Sequence, residues 1–426
     1  MVKKQNSYRW IVLSVVLFSY LLIVSQRTAP GLISEQLMTE FHVSAVVIGL
    51  LASLQFLSYA GLQIPIGLLS DRFGPNYFLI MGTLLNGIGT LIYSLAPNEA
   101  FLFLARLLVG IGDAAIWVNL VLILSQWFKA NEFVQLLGFA GMTGSLGFLM
   151  ATVPFSALID LLGWRVPFLI TGCLLCICAL ILYYVLVKKP KQMKNQINTR
   201  RSSVDQSIHK NEKTLVILRR LFSDRQAWAT FFCHFGVVGT YVGFIGSWAV
   251  PYGMNVYDMT RSEASQLIMI GLIGAIIGAP LTGWISNRLH SIRRPYLVVH
   301  VVTLCSWISF FLCNGRPPYY LLVLIFFIIG YGNGASALTF AVVRKSFSMK
   351  EVGVVSGFAN TGGFLSAVLL PSLFGKVLDY FHAHSMDMGY HFGFIIPIVF
   401  SIIGLIGGLL IKERNFHMEQ SQEMSI

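Results

Sequence analysis

Gly67-Leu68-Leu69-Ser70-Asp71-Arg72-Phe73-Gly74 is a very short connection, holding two charges and two glycines between long apolar runs. A connection this short makes the flanking helices antiparallel neighbours. Glycine lets the backbone turn where a side chain would clash. Asp71 falls where one helix ends and the next begins, so its carboxylate can accept from exposed backbone N–H groups or face a helix N-terminus. A weaker echo, Gly283-Trp284-Ile285-Ser286-Asn287-Arg288-Leu289, follows half a chain later. Two copies of one loop point to two copies of one bundle.

Composition agrees. The 426 residues are 56% hydrophobic and only 11% charged, with mean hydropathy +0.72. Soluble chains carry about 25% charged residues, so this is a membrane composition. Apolar runs of spanning length, ~20 residues, recur about twelve times. The first six lie near Tyr8–Ile33, Ala45–Leu69, Tyr77–Leu95, Phe101–Phe128, Phe133–Leu162 and Trp164–Leu186. The second six lie near Ala227–Tyr252, Glu263–Arg288, Pro295–Leu312, Pro318–Val343, Val352–Asp379 and Phe392–Ile411. The expected fold is an all-α membrane protein of twelve transmembrane helices in two pseudo-symmetric six-helix bundles. Residues 1–187 form the first bundle, 188–226 a cytoplasmic linker, and 227–426 the second bundle with a short cytoplasmic tail.

Formal net charge is +12. With Met1 inside, roughly 24 Lys and Arg fall on cytoplasmic connections and about 3 outside, which places both termini in the cytoplasm. The basic excess is then a topology signal, and no nucleic-acid partner is expected. The first apolar run is too long for a cleaved signal. Cys173-x-x-Cys176 has a metal or redox spacing, but inside an apolar run it reads as core filling. No Asn-x-Ser/Thr sequon occurs, which fits a bacterial inner membrane. The linker is polar and reads as mobile at its centre. Its end, Leu215 to Phe222, mixes apolar and basic residues and could lie on the membrane surface.

Further matches join the halves. Gly138-Phe139-Ala140, Gly144 and Asp160 recur as Gly357-Phe358-Ala359, Gly363 and Asp379, and Gly110-Ile111-Gly112-Asp113 recurs as Gly330-Tyr331-Gly332-Asn333. Where the first half has Asp71 and Asp113, the second has Asn287 and Asn333; Arg106 is matched by Phe326. The charge chemistry is kept in the first half. Gly138, Gly141, Gly144 and Gly147 form a small-residue stripe that lets a neighbouring helix approach closely, and Pro154 allows a bend.

With these motifs in place, the whole chain resembles the major facilitator superfamily. Gly67-x-x-x-Asp71-Arg72-x-Gly74 resembles the loop signature after that family's second helix, and Arg106-x-x-x-Gly110-x-Gly112 its fourth-helix signature. The glycine stripe resembles the fifth-helix signature, and Gly163-Trp164-Arg165 the segment after it. Pro75-Asn76 stands where the family has basic residues, which puts more weight on Arg72. The resemblance implies a central cavity and alternating access. Gly67, Asp71, Arg72, Gly74 and Arg288 are then expected to gate the cytoplasmic side. Arg27-Thr28-Ala29-Pro30 is similar to the first helix of the family's organic-anion and organophosphate members, where the matching arginine binds the substrate's anionic group. Those organophosphate members carry a second arginine in their seventh helix, where this chain has His234, so a singly charged anion is expected rather than a phosphate.

The residues themselves support such roles. A guanidinium at Arg27 offers a planar fork to a carboxylate and keeps its charge; the bland alternative is an outer-end arginine reaching to headgroups. Arg106, Gly110, Asp113 and Trp117 share one helical face. A buried carboxylate near an arginine suits a proton carrier, and a packing ion pair is the alternative. On the seventh segment His234, Tyr241 and Trp248 form a comparable stripe, facing solute or serving as packing. Asn333 offers a neutral polar contact. The reading is a secondary active transporter, not an enzyme. It would move a small polar organic solute, an organic acid or amino acid, with Arg27, Trp117, His234, Tyr241, Trp248 and Asn333 binding it. Asp113 and Arg106 would couple it to a proton. The partners expected are that solute, a proton and the lipid bilayer, with no cofactor, no metal, and the chain acting as a monomer. Multidrug or metabolite efflux by proton antiport, or an uncoupled facilitator, are the rivals. No ATP-binding loop, metal-spaced histidines or nucleophile motif supports an enzyme.

Overall fold

The computed structural model describes residues 2–43, 45–151, 153–190, 214–381 and 386–413, and their regular structure is entirely helical. The centre of the linker, read above as mobile, lies outside the described residues. In the first half the α-helices are α1 (Val2–Thr28), α2 (Ser34–Phe41), α3 (Ala45–Phe73), α4 (Pro75–Ser94), α5 (Glu99–Ala114), α6 (Ile116–Trp127), α7 (Ala130–Met150), α8 (Val153–Leu162) and α9 (Arg165–Tyr183). After the linker come α10 (Thr214–Ser223), α11 (Arg225–His234), α12 (Thr240–Ser247), α13 (Ala249–Tyr257), α14 (Arg261–Arg288) and α15 (Arg293–Leu312). The last five are α16 (Tyr319–Ala335), α17 (Leu338–Ser346), α18 (Val352–Phe381), α19 (Met386–Gly393) and α20 (Ile395–Leu410). Among the described residues 11 stretches are long and apolar enough to cross a membrane. The helix α3, 29 residues long, is a further apolar one.

Sequence explains where these helices break. α1 stops at Thr28 because Pro30 brings no backbone N–H; a tight 3₁₀ turn covers Ala29–Ile33 and α2 carries on. Glu40 ties the far end of α2 down, accepting from Trp164 Nε1 at 2.7 Å and Arg165 Nη2 at 2.6 Å. α7 gives way to α8 beside Pro154. Between α3 and α4 only Gly74 intervenes, at φ +88°, with Pro75 opening α4. That angle suits glycine alone. Cys173, expected in the core, is exposed on the surface of α9; Cys178 is the buried one.

At one end of the molecule, here called basal, lie the start of α1, the helix α10 and the residues after α20. Arg9 pairs with Glu132 at 2.8 Å, Tyr8 donates to the Val185 carbonyl, and Gln226 donates to the Lys412 carbonyl. Two crossings join the halves there: α3 lies on α18 and α7 on α14. Both are glycine contacts. A Cβ added at Gly67 would strike the Gly353 carbonyl, and one at Gly138 would meet the backbone of Ala279 and Pro280. The glycine stripe of α7 therefore divides. Gly138 and Gly141 face α14, whereas Gly144 and Gly147 seat Tyr20, Leu21 and Val24 of α1. At the opposite, apical end Arg165 bonds Ser94 and Ala96 within the first half, and Tyr252 bonds Gly315 within the second. The molecule is closed at its basal end.

Closure by backbone contact makes a direct prediction. Gly67→Val should force α3 off α18, at an overpacking cost of about 1–3 kcal/mol. Pulsed distance measurements between spin labels at Phe73 and Met349, both exposed at the basal end, should then show a longer population. An unchanged distance distribution would mean that this glycine contact does not hold the end shut.

Candidate functional site

α5 and α6 form the 29-residue span Glu99–Trp127, and Asp113 stands at its middle, ~21 Å from either end at helical rise. Asn98 starts it, its side chain accepting from Phe101 N. Asp113 is 1% exposed. Its Oδ2 accepts from Arg27 Nε at 3.0 Å and from Gln55 Nε2 at 2.9 Å. The other carboxylate oxygen, Oδ1, is buried without a partner among the described residues. Gln55 Oε1 in turn accepts from Arg106 Nη1 at 2.9 Å. One hydrogen-bonded row, Arg106–Gln55–Asp113–Arg27, thus crosses α5, α3 and α1. Since an arginine can only donate, Arg106 holds the Gln55 amide with its oxygen outward from Asp113 and its NH₂ toward it.

This differs from the expected pairing. Arg106 and Asp113 share a helix face, but seven residues are two turns, ~10.5 Å, too far for a bond. Gln55 fills the gap, and Arg27 is the direct counter-ion. Nor is Arg27 at the outer rim. It lies ~27 Å along α1 from Arg9 at the basal end and still ~20 Å short of Glu40, because the broken helix continues through α2. Its side chain is 15% exposed, and its guanidinium lies 5.3 Å from the Tyr59 ring. Arg106 is 4.4 Å from the ring of Tyr93. A charge at this depth persists only with such partners.

Beneath the row lies an aromatic and amide layer that bridges the halves. Asn360 Nδ2 donates to Tyr59 OH and to Gln63 Oε1, each at 2.9 Å. The Phe364 ring meets Tyr59 edge-on at 4.2 Å. Tyr20, Trp117, Phe340 and His234 follow one another at centroid spacings of 5.5, 5.2 and 5.2 Å. Trp117 and His234 therefore stand in one layer although they come from different halves. Trp117 Nε1 is buried without a partner among the described residues. His234 Nδ1 is 3.4 Å from Thr339 Oγ1, which is 2.6 Å from Tyr296 OH.

The other expected residues are distributed less compactly. Tyr241 is buried on α12, its hydroxyl against Gly271 and without a partner among the described residues. Asn333 is half-buried near the α16–α17 break. Trp248 is taken up elsewhere: Nε1 donates to the Pro371 carbonyl at 3.0 Å, and its ring stacks on Phe374. Gln55, Tyr59, Tyr20 and Asn360 escaped sequence reading because they are neutral and, unlike Trp117 and Tyr241, share no helix face with Asp113 or His234. One signal was present: Gln55, Tyr59 and Gln63 recur at four-residue spacing in an apolar run.

At the basal mouth, beyond the apolar run, Asp71 accepts from Gly353 N through Oδ1 and from Val354 N through Oδ2, both at 2.7 Å. The helix N-terminus it faces is that of α18, across the interface, rather than that of the next helix in sequence. Each such bond to a carboxylate contributes about 1.5–3 kcal/mol. Arg72 does not share this role. It is exposed, with its guanidinium over the adjacent Phe73 ring, and Arg288 lies likewise over Trp284. Gly67 makes the close approach and Gly74 the turn.

Comparison with known proteins follows the same lines. The sequence model of the Major Facilitator Superfamily matches residues 16–371. The chain is 20% identical to a probable hexose phosphate transport protein of Chlamydia trachomatis, over 95% of this chain and 91% of that one. It is 24% identical to the probable galactarate/D-glucarate transporter GudP of Bacillus subtilis, over 88% of this chain and 87% of that one. In structure it resembles the E. coli fucose:proton symporter FucP in its outward conformation, with a TM-score of 0.73 at 13% identity, covering 96% of this chain and 100% of that chain.

Removing one member of the Arg27–Asp113 pair leaves the other uncompensated. Asp113→Asn should destabilise the detergent-solubilised protein by about 3–5 kcal/mol, seen as a lower thermal midpoint. Arg27→Gln added to it should recover most of that loss. A single variant as stable as the parent would show that the pair is not buried in solution.

Proposed function

The chain belongs to the Major Facilitator Superfamily, and from that premise we propose that it is a proton-coupled carrier of organic carboxylates, with Arg27 as the anion-binding group and Asp113 as the proton carrier. One observation carries this reading. The guanidinium placed to meet an anion at mid-depth is already occupied by Asp113, a carboxylate with one oxygen left free. Protonation at Oδ1 cancels the charge that holds Arg27, so the guanidinium fork can turn to a substrate carboxylate. Departure of the substrate restores the ion pair and releases the proton. Proton and anion then move together, because neither Arg27 nor Asp113 is left as an unpaired charge in the bilayer.

In this reading Trp117, His234, Tyr241 and Asn333 face the solute as neutral polar or aromatic contacts, and Trp248 packs. Arg106 acts through Gln55 to hold Asp113 in place. A galactarate/D-glucarate relative favours a sugar acid; a hexose phosphate relative makes phosphate the second reading. An amino acid would need a second acid for its ammonium. Among the described residues of the later half, Asp258, Glu263, Glu351, Asp379, Asp387 and Glu413 lie at or near helix ends. We take the apolar run of α3 as the twelfth span, the two bundles as residues 1–187 and 227–426, and the basal end as cytoplasmic. The carrier then sits as a monomer in a bacterial inner membrane, shut toward the cytoplasm by Asp71 and Gly67.

The test is uptake into proteoliposomes of a labelled hexonate, D-glucarate and a hexose phosphate, with and without an inward proton gradient. Carboxylate accumulation should follow the gradient. Arg27→Lys should weaken apparent affinity about tenfold or more, since an ammonium cannot offer the fork. Asp113→Asn should keep exchange but lose gradient-driven accumulation. Unchanged affinity in Arg27→Lys would remove the anion assignment, and full accumulation by Asp113→Asn would leave an uncoupled facilitator or another proton group.

A further inference from the structure

The N-terminus of α18 that Asp71 grips is reached by a second charged contact, from the linker. Arg220 Nη1 of α10 lies 2.5 Å from Glu351 Oε1, on the residue immediately before α18. The second oxygen of Glu351 accepts from Ser348 Oγ at 3.0 Å. α10 is seated there by apolar contacts. Leu221 is buried, the Phe222 ring meets Phe358 edge-on at 5.4 Å, and Trp228 Nε1 donates to the Phe222 carbonyl at 2.8 Å. Glu351 precedes by two residues the Gly353 whose N–H Asp71 takes.

Two carboxylates therefore share one helix end. Glu351 suits its own helix, because a negative charge near an N-terminus is favourable. Asp71 arrives as a second negative charge from the other half and meets repulsion as well as attraction. Burial outweighs the amide bonds from Val354 and Gly353 and, with the charge of Glu351 added, raises the Asp71 carboxyl to about 7, so that any change in the charge at Glu351 is felt by it. The positive charge that offsets Glu351 comes from neither bundle face but from the linker.

We propose that Arg220 is a gate-positioning residue: by neutralising Glu351 it allows the α18 N-terminus to accept Asp71, so that the linker helix sets the balance between basal-closed and basal-open forms. This rests on the reading of Asp71 as a gate. Arg220 is half in solvent, so its effect is moderate and falls as salt screens it.

The experiment uses full-length protein in nanodiscs with Ser70→Cys. Ser70 is 1% exposed and adjoins Asp71. A maleimide that does not enter the bilayer labels residue 70 only when the basal end opens, and peptide mapping separates it from the native cysteines. Arg220→Gln should raise the labelling rate about threefold at low salt, the size expected of an exposed ion pair. The same substitution should be silent when Glu351→Gln is already present, and should add nothing to Asp71→Asn. An equal rise with and without Glu351 would show that Arg220 only packs α10, and would overturn the proposal. So would no rise in Arg220→Gln alongside a clear rise in Asp71→Asn. If Asp71→Asn itself leaves labelling unchanged, the gate reading falls and this inference with it, whatever uptake shows.

Discussion

The structure depends on one constraint: an ionised group in the middle of a bilayer must keep a counter-charge within bonding distance. Arg27 and Asp113 satisfy it for each other, and everything around them maintains that contact. Arg27 stands one residue before the end of α1, level with Asp113 at the middle of the Glu99–Trp127 span, and Glu40, held by Trp164 and Arg165, anchors the continuation beyond it. Arg106 reaches the same carboxylate only through an amide, which fixes the orientation of Gln55 without adding a charge contact. The row is positive by one charge overall, since two arginines face one aspartate. Under the proposed function, that imbalance is what a substrate anion answers.

α3 connects this centre to the basal contact with α18. Gln55, Tyr59, Gln63, Gly67 and Asp71 follow at four-residue intervals, a stripe that drifts slowly round a helix. The first meets Asp113, the next two meet Asn360, and the last two meet the end of α18. A shift of α3 relative to α18 must therefore break amide, glycine and carboxylate contacts together. Helix packing through backbone at Gly67 and Gly353 allows little intermediate adjustment, because there are no side chains to yield. The two halves are joined in a manner that favours two discrete arrangements over a continuum.

Much of this was legible in the chain itself. Apolar length and low charge identified a membrane protein, and the loop around Asp71 pointed to the family whose model matches residues 16–371. The glycines at 138, 141, 144 and 147 signalled close packing, although their division between α14 and α1 did not show. Arg27, Asp113 and Asp71 stood out because a charge in an apolar run is rare and costly. Tyr59 and Asn360 did not, because neutral polar residues are common enough in such helices to pass unnoticed. Arg72 was given a share of the gate on the strength of its motif, and lies instead over the neighbouring ring.

The sequence by itself determined which segments are long and apolar, where glycine and proline punctuate them, and which residues carry charge, since hydropathy, glycine and proline act locally along the chain. Tertiary structure alone decided who meets whom. Asp113 is paired by an arginine 86 positions earlier instead of the one on its own face, and Asp71 caps a helix 282 positions later. Such choices depend on how a broken helix resumes and how closely two backbones approach, and neither quantity is written in any local pattern of residues.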